Sequence, residues 1–195
     1  MKEINKLYKI NDIFYSIQGE GYHSGMAAIF IRFSGCNLNC SFCDTNFDNY
    51  ELLTAQQILS KCVNLIPNKL KKNSILLVLT GGEPALHIDD YLLNTLHSAN
   101  FIISIETNGT LKLSNKIDWV VCSPKENSKI VLNNVDELKI VYLNQDVEFL
   151  YNKIKAKYYY LQPCSMLNTQ DIIKYILANP HWQLSLQIHK ILNIK

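Results

Sequence analysis

The chain has 195 residues, 48% of them hydrophobic and 18% charged, with a formal net charge of +2. That length carries one domain with a sizeable core, and the apolar content excludes a disordered chain. The small charge gives no nucleic-acid surface, Met1–Lys6 holds no apolar stretch of signal length, and no run reaches the roughly 18 apolar residues of a membrane span, so the expectation is a cytoplasmic protein without nucleic-acid or membrane partners.

In chain order, the first marked feature is the polar, Gly-rich segment Ser16–Gly21, which reads as a turn. An apolar, β-rich run follows at 28–34 and contains Arg32. Strand alternation puts Arg32 on the face of Ala28 and Phe30, opposite Ile29, Ile31 and Phe33. A guanidinium in an apolar strand needs a carboxylate or similar partner, either a substrate acid or an ion pair within the protein.

Just past this strand comes Cys36-Asn-Leu-Asn-Cys40-Ser-Phe-Cys43. Six cysteines in such a compartment read as metal ligands or buried thiols before disulfides. Three clustered thiolates leave one position of a metal centre open, and an open position is where chemistry happens. A zinc site completed by Cys122 or Cys164 also fits the spacing. Asp44 and Thr45 add hard oxygen ligands of the kind Mg²⁺ takes, although Asp-Thr is equally a turn former.

Ala55, Ile58, Leu59, Cys62, Val63 and Ile66 form a helical stripe with Thr54 as N-cap, and Cys62 reads as core. Lys69-Leu70-Lys71-Lys72 reads as a solvated loop. A strand at 75–80 runs into Thr80-Gly81-Gly82-Glu83-Pro84. Glycines there let backbone approach a ligand and a carboxylate can accept from an ammonium group, although the segment could equally be a strand-ending turn. Ile88, Tyr91, Leu92, Thr95 and Leu96 give a second helix. The strand at 101–106 ends in Glu106-Thr107-Asn108-Gly109, and the strand at 117–122 in Ser123-Pro124-Lys125.

A strand at 136–142, a helix on Val147, Leu150, Tyr151 and Ile154, and a strand at 158–162 lead to Gln162-Pro163-Cys164-Ser165. A last helix on Ile172, Ile173, Ile176 and Leu177, capped by Asn168, precedes a strand at 183–188 and His189-Lys190. This βα alternation predicts a largely parallel sheet. An eight-fold barrel takes about 250 residues, and 107–116 and 123–135 show no helical pattern. The expected fold is therefore α/β, a single domain over 1–195 built as an incomplete, open βα barrel with mostly parallel strands and reduced helices. Its polar motifs sit just past the strands, so they converge on one face.

Cys-x3-Cys-x2-Cys with Phe42 before the last cysteine, followed by Gly-Gly-Glu-Pro, resembles the radical S-adenosylmethionine superfamily. The resemblance implies a [4Fe-4S] cluster on Cys36, Cys40 and Cys43, in a cluster loop over 36–45. In that superfamily S-adenosylmethionine chelates the fourth iron, and one electron cleaves it to a 5'-deoxyadenosyl radical. By the same resemblance Gly82 and Glu83 meet the methionine part, and Phe42, Cys43 and Asp44 the adenine side. Ser123, Pro124 and Lys125 contact the rest of the cofactor, with Glu106, Gln162, Pro163, Cys164 and Ser165 in the same pocket. Cys164 reads there as packing rather than as a ligand.

Adding Gln18–Gly21, Arg32 and the tail Gln187–Lys195, the order of motifs from about Phe14 onwards resembles the 7-carboxy-7-deazaguanine synthase family of the deazapurine route to queuosine. The reaction so implied converts 6-carboxy-5,6,7,8-tetrahydropterin to 7-carboxy-7-deazaguanine with loss of ammonia. Mg²⁺ on Thr45 would hold the substrate carboxylate and Arg32 would neutralise it, while Ile17, Gln18, Gly19 and Thr80 position the pterin. His189 and the terminal carboxylate at Lys195 would reach substrate from a capping tail over 187–195, although family chains often end in proline there. The resemblance also implies a homodimer and a flavodoxin-type electron donor. Two rival readings are a radical activase that makes a glycyl radical on a partner protein, and a non-enzymatic iron-sulfur or zinc protein.

Overall fold

The computed structural model describes residues 6–40, 43, 47, 49–68, 74–126 and 128–195. The lysine-rich stretch 69–72 lies outside them. In chain order the strands are β1 (Tyr8–Ile17), β2 (Ala27–Phe33), β3 (Glu51–Leu53), β4 (Ile75–Gly81), β5 (Phe101–Thr107), β6 (Trp119–Cys122), β7 (Asn134–Tyr142), β8 (Lys155–Pro163) and β9 (Gln183–Leu184). The helices are α1 (Ala55–Leu65), α2 (Asp90–His97), α3 (Val147–Lys153), α4 (Thr169–Ala178) and a short α5 (Ile188–Ile191).

Among the described residues nine strands form one sheet in the order β3-β1-β2-β4-β5-β6-β7-β8-β9. From β2 to β9 every pairing is parallel, whereas β1 runs antiparallel to both β2 and β3. The sheet is thus the open, mostly parallel βα architecture the alternation predicts, extended by an antiparallel edge. The predicted strands at 117–122 and 183–188 are shorter, beginning at Trp119 and ending at Leu184. Beyond Leu184 the chain leaves the sheet to form the tail that carries α5.

Alternation divides each parallel strand between two environments. On one face Ile29, Ile31, Phe33, Leu77, Leu79, Ile103 and Ile105 are fully buried against Ile58 and Cys62 of α1 and Leu92, Leu93 and Leu96 of α2. Further along, Leu138, Ile140 and Leu161 pack with Val147 of α3, Ile172 of α4 and Trp182. The opposite face carries Phe30, Arg32, Val78, Thr80, Glu106, Lys139, Val141 and Gln162, and it lines a cavity. Only a small apolar patch of Ala28, Leu76 and Val78, with Phe30 against it, closes that face at its base.

The helices form where the stripes predict them. Thr54 closes a capping box at α1: its hydroxyl accepts from the Gln57 amide and the Gln57 side chain accepts from the Thr54 amide. Thr54→Ala is expected to lower stability by about 1 kcal/mol, read as a shift of the urea midpoint with the slope unchanged. Asn168 occupies the N-cap position of α4 but does not cap it. Its amide is turned back to join β8 to β7, accepting from the Cys164 amide at 3.1 Å and donating to the Tyr142 carbonyl at 2.7 Å. Among the described residues no helix is long and apolar enough to cross a membrane.

Candidate active site

The polar motifs meet in a cavity of about 310 Å³ at the C-terminal ends of the parallel strands. Cys36, Cys40 and Cys43 line it together with Thr80, Gly82, Glu106, Ser123, Lys125, Gln162, Cys164 and Ser165. Ile17, Gln18, Gly19 and Arg32 enter from β1, β2 and their connection, and His189 and Lys195 from the tail. Phe42, Asp44 and Thr45 lie outside the described residues.

Three expected site residues sit behind the wall instead. Pro124 and Pro163 do not line the cavity, and Glu83 is 1% exposed. The Glu83 carboxylate is taken by the protein itself: it accepts from the Thr107 hydroxyl and the Asn108 amide, both at 2.7 Å, and from the Ala85 amide at 3.0 Å. Burial raises its pKa and these donors oppose the rise. Glu83 therefore fastens the turn after β5 to the turn after β4, and the glycine before it faces the cavity. A Cβ on Gly82 would lie 2.0 Å from the Gly35 carbonyl oxygen, so only glycine lets this turn pack against the cysteine loop.

At the floor is a charged cluster in which Glu106 and the Glu20 of the Gln18–Gly21 turn belong to motifs marked in the sequence and Lys139 does not. Lys139, 4% exposed, reaches Glu20 at 2.5 Å and Glu106 at 2.8 Å. Gln187 of the tail donates to Glu20 at 2.9 Å, and Gln18 donates to Glu106 at 3.3 Å. Burial opposes ionisation of Glu20, but the Lys139 charge and hydrogen bond, with Gln187, hold its pKa down to about 2. For Glu106 burial wins, helped by the nearby Glu20 charge, and its pKa is raised despite Lys139. Two carboxylates thus share one ammonium, and the Lys125 charge also acts on both acids. Below this floor Glu137 accepts from the Trp119 indole at 2.5 Å and the Tyr22 amide at 3.0 Å. A Cβ on Gly21, at φ +64°, would lie 2.2 Å from that carboxylate, which is why the Gln18–Gly21 turn ends in glycine.

The sign of the Glu20 contribution follows from its lowered pKa. Its stabilisation is complete above the usual value of 4.5 and is lost as pH falls towards about 2. Glu83, Glu106 and Glu137 are shifted the other way, so the informative comparison is with Glu20→Gln. The urea midpoint of the parent is expected to fall towards that of the variant between pH 4.5 and 2. A gap that stays constant over this range would contradict the assignment.

Arg32 points into the opposite end of the cavity. Its guanidinium lies 5.9 Å from the Phe14 ring centre, and Phe14 stacks on Phe30 at 5.0 Å. Among the described residues no carboxylate forms an ion pair with it. The tail closes over this end: the Ile188 amide donates to the Gly19 carbonyl at 3.1 Å, the Ser16 hydroxyl donates to the Lys195 main-chain oxygen, and the Lys195 ammonium pairs with Asp12.

The thiols suit a multi-iron cluster. All three face one cavity, and Cys36 feels both of the others. A cluster gives each thiolate its own iron. Burial raises the Cys36 pKa, so metal binding there must displace a proton. Lys125 donates to the Ser123 hydroxyl at 2.7 Å, and burial lowers its pKa. Of the two distant ligands a zinc site could draw on, Cys122 is fully buried outside the cavity with its pKa pushed up to about 12, whereas Cys164 lines the cavity.

A family model for the radical SAM superfamily matches residues 30–174. The 7-carboxy-7-deazaguanine synthase of Bacteroides thetaiotaomicron is 48% identical over 187 residues, spanning 96% of this chain and 98% of its own. That of Burkholderia multivorans is 38% identical over 210 residues, spanning 96% and 99%. Among solved structures, the crystal structure of QueE from Escherichia coli aligns with a TM-score of 0.73 at 28% identity, over 93% of this chain and 94% of that one. The thiol-lined cavity at the strand ends is thus matched by similarity over nearly the whole chain, which belongs to the 7-carboxy-7-deazaguanine synthase family within the radical SAM superfamily.

Proposed function

We propose that the chain catalyses the radical ring contraction of 6-carboxy-5,6,7,8-tetrahydropterin to 7-carboxy-7-deazaguanine with release of ammonia. The observation that carries this reading is the polarity of the cavity. A guanidinium without a carboxylate partner among the described residues stands at one end, and the Glu20 and Glu106 carboxyl groups at the other. The proposed substrate has the complementary polarity, with a carboxylate on one ring and an N–H-rich aminopyrimidine edge on the other.

In this reading Cys36, Cys40 and Cys43 hold a [4Fe-4S] cluster, and the backbone around Gly82 with Ser123 and Lys125 receives S-adenosylmethionine. When bound, this pair supplies the radical that takes hydrogen from the substrate. The chain's own residues do the positioning. Arg32 takes the carboxylate, aided by Mg²⁺ on Thr45, and Phe14 and Phe30 form an apolar wall beside the ring. Gln18, Glu20 and Glu106 accept from its N–H groups, and Lys139 keeps the two acids in place. The tail over 187–195 keeps water out. Fixed placement matters because a primary radical abstracts whatever hydrogen lies within reach. By resemblance the reading extends to a homodimer reduced by a flavodoxin-type donor.

Anaerobic reconstitution followed by incubation with S-adenosylmethionine, Mg²⁺, reductant and carboxytetrahydropterin should yield 7-carboxy-7-deazaguanine by mass spectrometry. An intact cluster whose paramagnetic spectrum responds to S-adenosylmethionine, without that product, would overturn the substrate assignment and favour a radical activase. A spectrum indifferent to S-adenosylmethionine would favour an electron carrier.

A further inference from the structure

Three loops around the cavity are fastened together by hydrogen bonds. Asn37, the residue after Cys36, donates from its amide nitrogen to the Thr110 hydroxyl at 2.8 Å. That hydroxyl donates to the Asn108 amide oxygen at 2.7 Å, and the Asn108 amide nitrogen donates back to the Asn37 amide oxygen at 3.0 Å. The result is a closed ring in which each side chain both gives and accepts, the arrangement in which hydrogen bonds reinforce one another. The ring is anchored below, where the Asn108 amide and the Thr107 hydroxyl bind the Glu83 carboxylate. Glu83 in turn donates its amide to the Gly35 carbonyl at 2.9 Å, which returns the chain of contacts to the residue before Cys36.

We propose that Asn37, Thr110 and Asn108 are positioning residues for the cluster. Their ring holds the Cys36–Cys40 interval against the Gly82–Glu83 turn, so that the thiols and the cofactor-binding backbone form one unit before either ligand arrives. The anchoring is asymmetric. Asn108 is buried at 6% exposure and fixed by Glu83, whereas Asn37 is exposed on the loop that must be held. The ring therefore acts on the loop from the sheet side. Among the described residues no hydrogen bond joins it to Glu20, Glu106 or Lys139, so its effect falls on the cluster rather than on substrate affinity.

The inference rests on the iron-sulfur part of the proposed function and is indifferent to the substrate. Missing product from a chain with a chelator-resistant cluster would sink the substrate reading alone, and unchanged cluster loss in the variants below would sink this inference alone. In the reconstituted chain, iron release to an excess of chelator should be about ten-fold faster in Asn37→Ala and in Asn108→Ala, the effect of losing the ring's hydrogen bonds. The double variant should release iron no faster than either single one, because the ring is already open. Thr110→Ser should match the parent and Thr110→Val the alanine variants. In the apo chain, amides of 37–40 should exchange about ten-fold faster in Asn37→Ala. Release within two-fold of the parent, multiplied effects in the double variant, equal damage from serine and valine, or unchanged amide exchange would each overturn the proposal. Asn37 is exposed and Thr110 belongs to neither large apolar cluster, so their variants serve if Asn108→Ala does not fold.

Discussion

Lys139→Met is expected to be the most damaging single substitution in the floor, lowering folding stability by about 3–5 kcal/mol at neutral pH. The loss arises less from the missing contacts than from what remains. Glu20 and Glu106, with side chains 16% and 18% exposed, would face each other with no cation between them. Folded domains of this size have total stabilities of about 5–15 kcal/mol, so the variant sits near its unfolding threshold. The two acids can escape by taking up protons, which raises their folded pKa values above the unfolded 4.5. For a raised acid the stability is complete below the unfolded pKa and is lost as pH rises. The variant should therefore show a higher urea midpoint at pH 5 than at pH 7.5, with Glu20→Gln restoring part of the loss at pH 7.5. An unchanged midpoint at pH 7.5 would show that the cluster is not under electrostatic tension.

Arg32→Ala is expected to lower kcat/KM for carboxytetrahydropterin by about 10²–10³-fold, the range for a charged partner left unpaired in an enclosed site. Lysine should not restore the rate, since a point charge cannot reproduce a two-toothed guanidinium–carboxylate contact. The apo chain should lose no more than about 1 kcal/mol, because among the described residues the contact recorded for this group is the Phe14 face. Equal losses of stability and activity would instead assign Arg32 an internal ion pair.

Most of the parallel sheet was legible because its strands are apolar runs that end in turn signals. The α1 cap could be read from Thr54 and the stripe behind it. β1 was not, for a physical reason: its pairing shifts register between Ile10 and Asp12, which breaks the alternation that marks a strand. β3 has three residues, too few to show any period. Within the site, motifs carried by glycine and cysteine announced themselves, and with them Glu20 and Glu106, but the Lys139 that joins those two acids did not. The signal for it was present in β7, where Glu137 and Lys139 interrupt an apolar strand just as Arg32 interrupts β2. Applied evenly, the argument that singled out Arg32 finds both. Glu83 shows the opposite error, because a carboxylate beside two glycines suggests a ligand contact, yet three protein donors had already claimed it.

The division of each strand between a helix-packed face and a cavity face also bears on how this scaffold can change. In β2, β4 and β5 odd-numbered positions such as Ile29, Ile31, Leu77, Leu79, Ile103 and Ile105 supply cohesion and even-numbered ones such as Phe30, Arg32, Val78, Thr80 and Glu106 supply chemistry, while in β7 the parity is reversed, with Leu138 and Ile140 in the core and Lys139 and Val141 at the cavity. Neighbouring letters of one strand are thus read by two independent selections. A library confined to the cavity-facing set can redirect the enzyme towards other ring systems while the hydrophobic interior stays intact, and drift confined to the helix-packed set can retune heat tolerance without touching what the enzyme accepts.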